Sequence, residues 1–266
     1  MSSYTPGVRQ YEQTRLEAVV ICLNYSDFLA ETLPFTISQF DRVVVVTAHN
    51  DMDTKNICHK WSVECVVTDA FVERGDVFNK GAAINVGLAN LRQNGWIVQL
   101  DADIVVPLQL RNMLAKAGLQ TDCLYGVERF NVHSYEKWAK IRPTCLTEPQ
   151  FSHRYFVNAP DLPACAHVVH KEFGYVPIGF FQLWHSQFMH QHMIRYPDVE
   201  SSAENMDVQF ALRWPRTQRR LLPTVRVLHL ESEKSPMGAN WRGRKTPPFT
   251  ENGLPLKTEA AVSYAY

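Results

Sequence analysis

Long hydrophobic runs are missing from this chain. The most apolar stretches, residues 18–23 and 43–48, are six residues each, whereas a membrane-spanning helix needs about 20. No span is expected. Residues 1–15 are polar and of mixed charge. They lack the apolar middle of a secretory signal, so a cytoplasmic location is expected. An excess of either charge is also missing, since 27 Lys and Arg stand against 27 Asp and Glu. That balance excludes a uniformly basic nucleic-acid coat protein but not a local patch. The six cysteines, at 22, 58, 65, 123, 145 and 165, contain no CxxC pair. Reduced thiols are therefore expected rather than a disulfide framework. Repeats and low-complexity tracts are absent as well.

What is present is ordinary globular material. The 266 residues are 45% hydrophobic and 20% charged, enough for a full core. Apolar strand patterns at 18–23, 41–47, 63–68 and 95–100 alternate with helical patterns at 27–39, 51–61, 80–91 and 107–117. Asn79 is placed to cap the third helix. This alternation predicts an α/β fold with a mostly parallel sheet flanked by helices, whose ligands bind beyond the carboxyl ends of the strands. The second half is less regular. A helix is predicted over 200–214, a strand over 224–230, and loop from 231 onward. No linker divides the chain, so one domain is expected, with halves 1–118 and 119–230 and a tail 231–266.

Asp101-Ala-Asp103 closes the fourth strand pattern. Carboxylates at i and i+2 point to opposite faces within a strand, but both can converge on one ion where the chain turns. Their hard oxygens suit Mg2+ or Mn2+, which also take diphosphate oxygens.

Together with other segments in the same order, this motif resembles the GT-A glycosyltransferases. The pattern is that of the family-2-like group and the polypeptide N-acetylgalactosaminyltransferases. The matching segments are 23–33 (LNYSDFLAETL), 79–87 (NKGAAINVG), 100–103 (LDAD), 179–185 (GFFQLWH), 204–210 (ENMDVQF) and 227–229 (VLH). The resemblance implies a single GT-A domain with a nucleotide-sugar half, an acceptor half and a C-terminal loop. It implies transfer of a sugar from a nucleoside-diphosphate sugar to a hydroxyl, with Mn2+ or Mg2+ held by Asp101, Asp103 and His229. Donor contacts would come from Asn24, Thr47, Lys80, Asn85, Asp101, Trp184, Arg242 and Arg244. Acceptor contacts would come from Gly179, Trp184, His185 and Arg213. Glu204, Asn205 and Asp207 would form the acidic catalytic helix.

Two departures from the family pattern matter. Thr47 and His49 stand where an acidic cluster usually reads the base, leaving the nucleotide open. Glu204-Asn205 replaces the Glu-Asp of inverting members, and an amide cannot act as a base, so retention is expected. Residues 211–245 also carry nine Lys and Arg against two Glu. That run suits either the donor diphosphate or a polyanionic acceptor. Duplex DNA with hydroxymethylated pyrimidines, as in phages that modify their genomes, is one such acceptor. A cytosolic glycan or a lipid-linked acceptor is the alternative, as is a non-catalytic binding protein of the same fold. A sugar-phosphate nucleotidyltransferase fits poorly, because residues 24–28 (NYSDF) offer no Gly-rich basic loop.

Overall fold

The computed structural model describes residues 15–147, 168–170, 172–198, 203, 205–232, 240, 242–251 and 254–255. Strand β1 (Leu16–Ile21) is buried at every position. Ala18 and Val20 enter one core, and Val19 and Ile21 the other. A strand covered on both faces needs a continuous apolar run, which is why no polar alternation appears there.

Three further strands extend the parallel half: β2 (Arg42–Thr47), β3 (Glu64–Val67) and β4 (Trp96–Asp101). Helices α1 (Ser26–Thr36), α2 (Met52–Lys60) and α3 (Lys80–Ala89) connect and cover them. The Asp51 and Asn79 side chains cap α2 and α3 by accepting from Thr54 N and Ala82 N, satisfying first-turn donors. Helix α3 packs close to the sheet at Gly87. A Cβ there would lie 2.3 Å from Val19 and 2.7 Å from Val46, so glycine is required by the approach.

The chain continues through β5 (Ile104–Val105), α4 (Leu110–Lys116), β6 (Leu124–Val132) and α5 (Tyr135–Thr147). It then adds β7 (Val168–His170), β8 (Gly174–Val176), β9 (Phe181–His185), α6 (Ser186–Gln191) and α7 (Met206–Ala211). It closes with β10 (Arg219–Leu230) and a two-residue hairpin, β11 (Thr250–Glu251) and β12 (Leu254–Pro255).

The main sheet has eight strands in the order β3-β2-β1-β4-β9-β6-β10-β5. The first four are parallel. Strand β9 is antiparallel to both β4 and β6, and β10 is parallel to β6. The carboxyl ends of β4, β6 and β10 therefore share one edge. That edge holds Asp101, Asn131 and His229.

The α/β expectation holds. Of the helix expected over 200–214, residues 200–202 and 204 lie outside the described residues; the described part holds α7, preceded by Asn205 with a left-handed φ of 60° and followed by a turn at 212–213. The last strand begins at Arg219 rather than 224, with a bulge between Leu222 and Arg226. Among the described residues, the cysteines at 22, 58, 65, 123 and 145 are free thiols. No described helix is long and apolar enough to cross a membrane.

Candidate metal and donor site

Asp101 ends β4, and the turn through Ala102 and Asp103 leads directly into β5. The turn is fixed from three sides. Asp101 N donates to Phe180 O (3.2 Å), Leu230 N donates to Asp103 O (2.9 Å), and Thr32 Oγ1 donates to Ala102 O (2.7 Å). The two carboxylates consequently face different partners. Asp101 Oδ1 accepts from Lys80 Nζ at the first turn of α3, and from Gln99 Nε2 at 3.0 Å. Asp103 Oδ2 lies 3.2 Å from His229 Nε2. The other Asp103 oxygen, Oδ1, is buried without a hydrogen-bond partner, as is Asn131 Oδ1.

Burial raises the Asp101 carboxyl, and the charge of Asp103 adds to that against the pull of Lys80. Burial also presses on Asp103, but the imidazole of His229 outweighs it and holds the carboxyl below its usual range. His229 responds in kind. Burial alone would lower it, but Asp103 and Glu231 lift it to about 9.

A divalent ion places definite demands on this donor set. Among the described residues, no three His, Cys, Asp or Glu side chains already stand as a closed ligand group. Asp101 is turned to Lys80, and His229 is turned to Asp103 as an ion pair. The chemistry nevertheless fits. Two carboxylates and an imidazole line one edge, and one buried carboxylate oxygen has no donor. Unsatisfied buried acceptors are costly and suit a cation.

Other expected site residues fall into two groups. Gly179 lies at the same edge, and its N–H donates to Asp207 Oδ2 at 2.6 Å. A Cβ at 179 would lie 2.9 Å from Asp207 Cβ. Asp207 Oδ1 accepts from Val208 N at 2.8 Å, so this carboxylate holds the 179 turn. Asn205 is exposed beside it. Glu204 lies outside the described residues. Arg242 is exposed on the C-terminal segment.

The remaining residues are placed elsewhere or engaged in the scaffold. Trp184 is 0% exposed and packs on Tyr196 and Phe210, so it presents no face to a sugar. His185 pairs with Trp96, at the opposite end of β4 from Asp101, roughly 16 Å away at a strand's rise. Trp214 stacks on Phe188, just beyond His185, which places the exposed Arg213 at that remote end as well. Thr47 is buried, and its hydroxyl donates to Asp51 Oδ2 at 3.0 Å. Asn24 N and both Thr54 donors converge on the same Asp51 carboxylate. Asn85 exchanges two hydrogen bonds with the Tyr196 backbone, at 2.9 and 3.1 Å.

Arg244 clasps Asp27 through two hydrogen bonds of 2.6 and 2.7 Å and donates to Asn24 O at 2.6 Å. Its guanidinium also lies 4.5 Å over the Tyr25 ring. Such a residue fastens the C-terminal segment to α1 and has few donors left for a diphosphate.

Three contributors were not anticipated. Arg129 acts electrostatically on Asp103 and His229, and Asn131 pairs with His229 across β6 and β10. Tyr25 is pushed up by burial and then by the charge of Asp103. The signal for the first two was polar Arg129 and Asn131 alternating with Phe130 and Val132 at the end of the strand.

No family model and no curated protein matches the chain. Among solved structures, it is similar to glucosyl-3-phosphoglycerate synthase from Mycobacterium tuberculosis in complex with Mn2+, uridine-diphosphate and glucosyl-3-phosphoglycerate. The identity is 14% over 89% of this chain and 80% of that chain, with a TM-score of 0.47. The same enzyme with Mg2+ and uridine-diphosphate gives 13% over 88% and 79%, with a TM-score of 0.47. With Mn2+, uridine-diphosphate-glucose and phosphoglyceric acid it gives 14% over 88% and 79%, with a TM-score of 0.45. Likeness at this level transfers no residue roles, and the chemistry of the site rests on its own geometry.

Proposed function

We propose that this chain is a GT-A-type glycosyltransferase that moves a sugar from a nucleoside-diphosphate sugar to a hydroxyl, with Mn2+ or Mg2+ as cofactor. The observation that carries this reading is the carboxyl edge of the sheet. There Asp101 and Asp103 flank one turn, His229 abuts Asp103, and Asp103 Oδ1 is buried with no donor.

Asp101, Asp103 and His229 would hold the ion. When bound, it supplies positive charge to the departing diphosphate. Lys80 stands at the amino end of α3, where its ammonium and the first-turn N–H groups both favour an anion. The reaction breaks the bond between the anomeric carbon and the diphosphate oxygen and forms one to the acceptor oxygen, whose proton must leave. Asp207 is committed to two backbone N–H groups, and Asn205 carries an amide. Both features support retention, with this helix positioning substrate rather than acting as base.

A hydroxyl acceptor enters beside the Gly179 turn in this reading. Among the described residues, six of the seven arginines of the basic run are paired, buried or toward the amino end of β10. Arg219 is buried, Arg226 pairs with Glu128, Arg244 is locked to Asp27, Arg213 and Arg216 precede β10, and Arg220 sits at its amino end. That dispersal of the described arginines favours a small or glycan hydroxyl over duplex DNA as acceptor.

The test is a donor screen. The protein is mixed with Mn2+ and each common nucleotide sugar, and thermal stabilisation is measured. One donor at 100 times its Kd should add roughly 2.7 kcal/mol. Stabilisation by none of them would overturn the reading. Partner binding that survives Asp103→Ala would favour a non-catalytic module instead.

A further inference from the structure

A second concentration of charge lies at the other end of the sheet. Arg219 opens β10 opposite Leu124, the first residue of β6. From Leu124 to Asn131, which marks the metal edge, β6 runs roughly 23 Å at a strand's rise. Arg219 is 7% exposed. Its Nη2 donates to Phe173 O at 2.8 Å, but its Nε and Nη1 are buried with no acceptor. Burial presses the guanidinium pKa down, and the charge of Arg216 presses the same way. A guanidinium nevertheless keeps its proton in a folded protein, so the buried charge stays.

Arg216 is drawn to the same turn. Its Nη1 donates to Glu172 O at 3.4 Å. Gly174 has a φ of 71°, a left-handed backbone that suits glycine, and a Cβ there would lie 2.7 Å from Arg216 Nε. The missing side chain is the place that Arg216 fills. Backbone carbonyls at 172 and 173 thus anchor two guanidiniums on one turn. Among the described residues no carboxylate pairs with either. Asp122, on the approach to β6, accepts from Gln218 at 3.0 Å, and the charge acting on Arg219 is that of Arg216.

Carbonyl dipoles satisfy single donors but do not cancel two like charges. A buried cation with donors to spare is unfavourable until an anion joins it. We propose that Arg219 and Arg216 form a binding site for a small phosphate-type oxyanion, with the unpartnered N–H groups of Arg219 as its floor and Arg216 as its exposed rim. A tetrahedral anion has oxygens for both side chains, and arginine is suited to such partners. The burial of Arg219 sets the size of the ligand. Nucleic-acid backbones present their phosphates to exposed cations, whereas this guanidinium is closed to a polymer and open only to an anion that can be enclosed. No group of the metal edge takes part, so the inference stands apart from the proposed transferase activity.

The experiment is calorimetric titration of inorganic phosphate into the full chain, in chloride buffer with EDTA. Wild type should bind phosphate at one site, and Arg219→Met should lose that binding. Arg216→Ala should weaken it about tenfold or more, the effect of removing one charged hydrogen-bond donor. Asp103→Asn should bind phosphate as wild type does. Phosphate should also raise the melting temperature of wild type and leave that of Arg219→Met unchanged. Arg216 is exposed, so Arg216→Ala reports on the site even if Arg219→Met does not fold. No binding by wild type, or equal binding by wild type and Arg216→Ala, would overturn the proposal. Loss of phosphate in Asp103→Asn would move the anion to the metal edge and overturn it as well. Binding of a duplex oligonucleotide but not of phosphate, abolished in Arg216→Ala, would overturn it in favour of a polymeric partner.

Discussion

Lys80→Met removes the positive charge in hydrogen-bonding contact with Asp101 and leaves a similar volume. The pair is mostly sheltered, with side chains 13% and 28% exposed. At about 4 Å and an effective dielectric near 20, a unit pair is worth roughly 4 kcal/mol before desolvation is subtracted. Breaking a buried pair by deleting one member costs about 3–5 kcal/mol, because the other charge stays behind. Partial exposure of Asp101 brings the expectation down to about 2–3 kcal/mol. Asp103, two residues on, adds repulsion to the same carboxylate. At about 2–4 °C per kcal/mol for a chain of this size, the metal-free variant should melt roughly 4–10 °C below wild type. A divalent ion would relieve the same repulsion, so Mn2+ should raise the melting temperature of Lys80→Met by more than that of wild type. The assay is differential scanning calorimetry in EDTA and in Mn2+. Equal melting temperatures in EDTA, or an identical rise with Mn2+, would show that Lys80 does not offset the Asp101 charge.

Other perturbations follow from the same geometry. His229 is raised to about 9 from an ordinary value near 6.5. Its pairing with Asp103 should stabilise the metal-free fold fully below pH 6.5 and fade as pH climbs through about 9. In EDTA, the gap in urea midpoint between wild type and His229→Gln should therefore shrink between about pH 7 and 10; a constant gap would contradict this. Trp184→Phe should cost less than about 1.5 kcal/mol and leave transfer kinetics unchanged, since the ring is remote and its Nε1 has no partner to lose. A large rise in KM would place the ring in the site after all. Gly179→Ala pushes a methyl to within 2.9 Å of Asp207 Cβ, so kcat/KM should fall more than about tenfold while stability drops by about 1–3 kcal/mol. Arg244→Ala strands Asp27, which is 6% exposed, and should cost about 3 kcal/mol. It should also expose residues 240–249 to limited proteolysis; an unchanged digest would argue against the clasp.

The parallel half of the fold was legible because burial on both faces demands uninterrupted apolar runs, and those of β1, β2 and β4 stand out. The Asp101–Asp103 turn was legible for the same reason: it interrupts such a run at a strand's carboxyl end. Strand direction was not legible. The segment from Gly179 to His185 reads as one acceptor strip, yet β9 runs antiparallel to β4. The Gly179–Phe180 end therefore stays at the site, while Trp184 and His185 are carried to the far edge. Long-range pairing was hidden as well. Arg244 looks like a free phosphate ligand until Asp27, 217 residues away, takes its guanidinium. The charge run near the C-terminus was real in composition but dispersed in space. The left-handed Asn205 just before α7 was not legible, because such a residue leaves no trace in hydrophobic pattern.

The Asp101–Asp103 edge is proposed to bind a nucleoside diphosphate through a divalent ion. Isothermal titration of uridine-, guanosine- and adenosine-diphosphate into the full chain, with Mn2+ and with EDTA, tests it most directly when repeated on Asp103→Asn. At least one diphosphate should bind only with Mn2+, and Asp103→Asn should lose that binding while keeping a cooperative melt. Binding of equal strength in EDTA, or binding that survives in Asp103→Asn, would contradict it.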